Sequence, residues 1–144
     1  MKSWNGADVT AANSIVVAIL RSPVHRLLSG KLDVIRYRGQ RTGEQHVTPT
    51  QYVQQGDDLL IFVGRAETKS WWRNFRTDRD IEVLVRGRWQ AMRARAVVGK
   101  DEPETMVPLL DGYLKRFPKM AKALEGESSH DRVRHAVMVV CQPR

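Results

Sequence analysis

Two short stretches of this chain carry side chains suited to holding an anion that has an aromatic body. The first is Arg41-Thr42-Gly43, which puts a guanidinium, a hydroxyl and a Cβ-free backbone position into one turn. Thr48 follows on the next strand-like run. Arg36 and Arg38 project from one face of the run before it. The second stretch, Thr68–Phe75, reads Thr-Lys-Ser-Trp-Trp-Arg-Asn-Phe and supplies Lys69, Asn74 and two adjacent tryptophans. Phosphate and carboxylate recognition needs N–H forks, hydroxyls and backbone amides in close approach. A helix beginning at Thr68–Phe75 would add free N–H groups and the positive end of a dipole. Trp71 and Trp72 occupy neighbouring helix positions and cannot both enter one core. One packs while the other is free to cover a ligand, or both serve the fold.

Other chemistry has little support. His25, His46, His130 and His135 are scattered and the chain has a single cysteine, so no metal-ligand spacing is visible. No nucleophile elbow, phosphate loop or dinucleotide fingerprint occurs. Carboxylates are plentiful, but no spacing selects an acid–base pair. Catalysis by this chain therefore requires a cofactor that brings the reactivity.

The chain has 144 residues, enough for one domain with a real core, and 42% hydrophobic content argues for a folded globule. A net charge of +8 biases the partner towards something acidic: nucleic acid, an anionic membrane surface, or a small ligand with phosphates and carboxylates. Cys141 lies in the apolar run Ala136-Val-Met-Val-Val-Cys141 and reads as a buried, inert thiol in a reducing compartment. Ile15-Val-Val-Ala-Ile-Leu20 is too short to span a bilayer, and no secretory pattern precedes it, so a cytoplasmic location is expected.

The elements that must position these residues follow from periodicity. Residues 1–12 read as a mobile leader and 13–28 as a basic amphipathic helix, packed on its own domain or docked on a membrane surface. In the first strand, Leu32, Val34, Arg36 and Arg38 share one face, and Asp33, Ile35 and Tyr37 the other. Gly39–Gly43 is a turn. Gln45–Gln54 is a second strand with His46, Thr48, Thr50 and Tyr52 on one side, and Pro49 places it at an edge or bulge. Leu59–Val63 reads as a buried central strand. Asp80–Arg86 and Trp89–Val98 form a hairpin across Arg86-Gly-Arg88, with Trp89, Ala91, Arg93, Arg95 and Val97 on one face. Asp101-Glu-Pro-Glu104 opens a helix that ends near Phe117-Pro118, a further helical stretch runs to Gly126, and Arg134–Cys141 is the last strand. The pattern predicts a single α+β domain over 1–144, built on a barrel-like sheet of roughly six mainly antiparallel strands with N-terminal, central and C-terminal helices.

Arg38-Gly-Gln-Arg-Thr-Gly43 followed by His46-Val-Thr-Pro49, and Lys69-Ser-Trp-Trp-Arg-Asn74 followed by Ile81-Glu-Val-Leu-Val85, resemble the deazaflavin-dependent nitroreductase family. This is a branch of the split β-barrel flavin and deazaflavin oxidoreductases common in actinobacteria. The order of elements agrees over nearly the whole chain. The resemblance implies binding of coenzyme F420, a deazaflavin with a phosphate and an oligoglutamate tail. It implies that Arg41, Thr42 and Gly43 hold the phosphate with help from Lys69. His46 falls in the same motif, where a related family has Arg. Thr48 and Pro49 would lie along the ring edge, and Trp71 and Asn74 would form the neighbouring wall. Tyr113 and Phe117 fall where related proteins cover the substrate, and Tyr113 is a candidate proton donor. Arg36 and Arg38 are candidates for the tail. Thr50-Gln51 replace an apolar pair of the family motif.

The function so implied is F420H2-dependent reduction of an electron-poor small molecule: an activated enone, a quinone or a nitro compound. Three other readings stay open. One keeps the fold with FMN, or with cofactor binding alone. Another is a nucleic-acid binder, which the dispersion of cations along the chain disfavours. The last is a quinone reductase docked peripherally on a membrane by residues 13–28. A homodimer is compatible with all of them.

Overall fold

The computed structural model describes residues 32–123 and 128–144. The leader and helix expected over 1–28 lie outside the described residues. Seven strands form one antiparallel sheet: β1 Leu32–Arg38, β2 Gln45–Gln51, β3 Val53–Gln55, β4 Asp58–Phe62, β5 Arg79–Val85, β6 Arg88–Val98 and β7 Val137–Pro143. Their order is β2-β1-β5-β6-β7-β4-β3. The two edges, β2 and β3, are separated in the chain only by Tyr52. The sheet therefore curls until its margins approach, giving an α+β half-barrel.

The run expected as one strand over Gln45–Gln54 is in fact two. Tyr52 breaks it so that β2 pairs with β1 while β3 turns to pair with β4. Pro49 sits on the β2 edge, opposite Val34, where its missing N–H breaks no ladder. Leu59–Val63 is buried as expected, yet β4 lies next to an edge, between β7 and β3. The Arg86-Gly87 hairpin between β5 and β6 has φ of 52° and 79° at its two positions, the primed turn that matches strand twist.

Alternation along each strand divides the core in two. Ile35, Tyr37, Leu59, Ile61, Ile81, Val83, Met92, Ala94, Val139 and Cys141 fill the inside of the curl. Leu60, Val97 and Met138, on the other face, receive Met106, Leu110 and Tyr113 of helix α1, Pro103–Arg116. Those three helix positions recur at helical spacing, and Pro103 stands at the helix start where its missing N–H costs nothing. Two short helices follow, α2 Pro118–Ala123 and α3 Ser129–His135, and Ser128 caps the latter by accepting the Asp131 N–H. Cys141 is fully buried, and burial pushes its thiol well above the ordinary range.

Candidate functional site

The segment between β4 and β5 is not the regular helix that its composition suggests. It forms two short 3-10 turns, Ala66–Thr68 and Trp71–Phe75, with Arg65 in the left-handed region at φ 52°. A five-residue turn has no appreciable macrodipole, so the capacity to hold an anion here rests on side chains and the β1–β2 turn. The tryptophans divide their roles. Trp72 is buried and its indole N–H donates to the Ala66 carbonyl at 2.9 Å. Trp71 is half-buried and lines a cavity.

The β1–β2 turn is tightly built. Gly39 N–H donates to Glu44 O at 2.7 Å and Gly43 N–H to Gly39 O at 2.9 Å. Thr42 Oγ1 accepts the Glu44 N–H at 3.2 Å. Gly43 has φ 70°, which favours glycine there. A Cβ on Gly39 would stand 3.1 Å from His46 Nε2 and 3.2 Å from Thr42 Oγ1, so the bare backbone lets the turn close over β2. Asn74 ties the 3-10 turn to this hairpin: its Oδ1 accepts the Gln40 N–H at 2.7 Å, and its Nδ2 donates to Trp71 O at 2.8 Å.

Two cavities of about 450 Å³ each lie side by side along β2. The first is lined by Gly39, Arg41, Thr42, His46, Arg73 and Asn74, with Gln40 and Ser70. The second is lined by Thr48, Pro49, Lys69, Trp71, Tyr113 and Met120, with Thr50, Gln51 and Phe62–Gly64. His46, Thr48 and Thr50 are successive same-face residues of β2, registered against Tyr37, Ile35 and Asp33. Tyr37, a core residue behind β2, packs its ring 5.3 Å from His46 of the first cavity and 6.5 Å from Trp71 of the second. Among the described residues neither Arg41 nor Lys69 forms an ion pair. One end is thus cationic and rich in N–H donors, and the other aromatic and apolar with a lysine at its mouth. Such a donor set fits a phosphate- or carboxylate-bearing group joined to a flat ring.

Arg36 and Arg38 are not brought to this place. Arg36 Nε pairs with Glu82 Oε1 at 3.0 Å, and its guanidinium lies 4.0 Å above the Trp89 ring. Arg38 Nη1 donates to Gly43 O at 3.1 Å. Both line a separate groove with Arg79, Arg93 and Arg144. Phe117 stacks on Tyr113 at 4.9 Å and packs in the α1 core rather than in the cavity wall. Tyr113 is buried, and that burial pushes its phenol up to about 12 despite a backbone hydrogen bond with Phe62. It holds its proton firmly.

Sequence reasoning missed Arg73, Phe62 and Met120 as wall residues, and above all Asp33. That residue is 1% exposed, the only buried charged side chain among the described residues. Its Oδ1 accepts the Thr50 hydroxyl, while Oδ2 is buried with no partner among the described residues. Burial raises it from 3.8 to about 7, outweighing the lowering effects of the Thr50 bond and of its own backbone N–H. The available signal was its parity with Ile35 and Tyr37 on an otherwise apolar face.

A model of the F420H2-dependent quinone reductase family matches residues 16–113. Among solved structures, one described as a domain-swapped dimer superposes with a TM-score of 0.59 at 11% identity, covering 93% of this chain and 96% of that one. An F420H2-dependent reductase, FDR-A, gives 0.57 at 12% identity, with 78% and 94% covered. The FAD- and haem-binding protein from Mycobacterium smegmatis gives 0.51 at 14% identity, with 83% and 64% covered. At such identities these likenesses establish the fold alone. No curated protein matches the chain. The family model spans most of the chain, in keeping with the resemblance of its two motifs. The chain belongs to the F420H2-dependent quinone reductase family, split-barrel oxidoreductases that use the reduced deazaflavin.

Proposed function

We propose that this protein reduces an electron-poor small molecule, a quinone or activated enone, with F420H2 lying across the two cavities along β2. The observation that carries this reading is their pairing: β2 and the segment after β4 contribute residues to both, His46, Ser70 and Asn74 to a cationic, donor-rich end and Thr48, Lys69 and Trp71 to an aromatic, apolar one. Arg41, Thr42 and the backbone at Gly43 hold the phosphate, joined by Arg73. Lys69 meets the remaining negative charge. Thr48 and Pro49 lie along the ring edge and Trp71 against its face. Phe62, Tyr113 and Met120 leave the apolar space for the substrate.

When bound, the reduced deazaflavin supplies a hydride. The chain's own part is to orient ring and acceptor, exclude water with Trp71, Phe62 and Met120, and stabilise developing negative charge with Lys69 and nearby hydroxyls. Among the described residues no helix is long and apolar enough to cross a membrane.

The test is titration of the purified protein with F420, read by cofactor fluorescence, with FMN in parallel. Saturable binding of F420 in preference to FMN, followed by F420H2 consumption with a naphthoquinone or cyclohexenone, is the expected result. Binding of neither cofactor would remove the site as assigned.

A further inference from the structure

Asp33 has no evident structural use. A buried carboxyl with one oxygen lacking any partner weakens a fold unless the group is neutral or compensated. Its one side-chain bond goes to Thr50, its registered cross-strand partner, and Thr50 is itself part of the cavity wall beside Thr48, Lys69 and Tyr113. The carboxyl is therefore one hydroxyl away from the space assigned above to the substrate.

We propose that Asp33 and Thr50 form the proton-delivery pair of this cleft, Thr50 Oγ1 giving a proton to the reduced substrate and Asp33 replacing it. The inference rests on the substrate reading just given. Two-electron reduction of a quinone or enone by hydride leaves an oxyanion that needs one proton. The Thr50 O–H bond breaks and its proton passes to that oxygen. The Asp33 carboxyl O–H breaks in turn and restores the Thr50 hydroxyl, leaving a carboxylate that takes a proton back from water. The Thr50–Asp33 bond can run in either sense. With a carboxylate Thr50 donates to Oδ1. With a carboxylic acid Asp33 donates, and the Thr50 hydrogen is free to turn to the cleft.

The surroundings suit a group that exchanges its proton near neutrality. Burial pushes Tyr52 after β2, Tyr113 from α1 and Cys141 from β7 upward, with the Asp33 charge a smaller contribution to each, so each stays neutral beside it. Arg86 and Arg116 act on Tyr52. On β5 the facing residues are apolar, since Ile35 registers with Val83, and Glu82 is taken by Arg36 on the opposite face. A carboxyl raised to about 7 is a far better proton donor at neutral pH than the Tyr113 phenol at about 12.

The test has two arms. In the free protein, infrared difference spectra across pH should show one protonated carboxyl titrating near neutrality, absent in Asp33→Asn. In the F420H2-loaded enzyme with a naphthoquinone, kcat should fall roughly tenfold from about pH 6 to about pH 8 as the acid form is lost. Asp33→Asn should flatten that profile. Thr50→Val should lower kcat by about a hundredfold, and Thr50→Ser should restore most of it. A carboxyl titrating in the ordinary aspartate range would overturn the pair, as would a wild-type pH profile retained in both Asp33→Asn and Thr50→Val. Normal F420 binding and turnover with such a profile would overturn the pair alone. Failure of the wild type to bind F420 would overturn the site reading and the pair together.

Discussion

Asn74 Oδ1 accepts the backbone N–H of Gln40 at 2.7 Å across 34 positions of chain. A side chain expected in the cofactor wall, and lining the first cavity, also fastens the turn that carries Arg41 and Thr42 to the turn that carries Trp71. The turn that carries Arg41 and Thr42 is thus held by a clasp from the segment after β4. Asn74→Ala should cost about 0.5–1.5 kcal/mol of stability and loosen the hairpin. F420 affinity should fall with it, even though no charge is removed. Calorimetric titration beside a thermal melt checks this, and unchanged affinity would leave Asn74 a purely local cap.

Arg41, from the β1–β2 turn, lines the first cavity and Lys69, from the segment after β4, the second. Arg41→Ala and Lys69→Ala should each weaken F420 binding by about 1–3 kcal/mol, the value of a charge-assisted hydrogen bond. Arg36→Ala, which breaks only the Glu82 pair and the Trp89 stack, should leave affinity close to wild type. Fluorescence titrations of the three variants separate the two grooves.

The adjacent tryptophans should respond in opposite ways. Trp72→Ala removes a buried ring and its bond to Ala66, and should cost about 3–5 kcal/mol of folding stability. Trp71→Ala should spare most of the stability and impair ligand binding. Urea melts paired with F420 titrations distinguish them.

Asp33 predicts a pH slope in stability. Its folded-state value lies above the ordinary one, so between about 4 and about 7 the native state holds a proton that the unfolded chain has released. The stabilisation due to the neutral acid is complete below that window and is lost as pH rises through about 7. The full difference is on the order of 4 kcal/mol. The wild type should therefore melt at lower temperature at pH 8 than at pH 5, and Asp33→Asn should flatten this part of the curve.

Much of this arrangement was legible in side-chain parity. Asp33, Ile35 and Tyr37 on one face, and His46, Thr48 and Thr50 on the facing strand, follow from period-two alternation, and the register confirms them. Pro49 correctly marked an edge. The same parity set Arg36 and Arg38 apart from Ile35, but type alone could not say that the opposite face leads to another groove. Leu59–Val63 read as central because it is apolar on both faces. A strand beside an edge has the same composition when α1 covers one side and the curl encloses the other. The break at Tyr52 leaves no local signal, since it answers to the closing of the sheet. The 3-10 turns were mistaken for a helix because tryptophan and asparagine spacing does not distinguish the two over five residues.

Cys141, sealed inside the curl with its thiol held protonated, bears on chemical durability. Quinones and activated enones alkylate accessible thiolates, so a reductase that gathers such electrophiles risks being poisoned by its own substrates. With its single sulfhydryl walled off by β4 and β6, the chain presents those reagents no accessible thiolate. Self-inactivation by alkylation at that sulfur is thereby closed off.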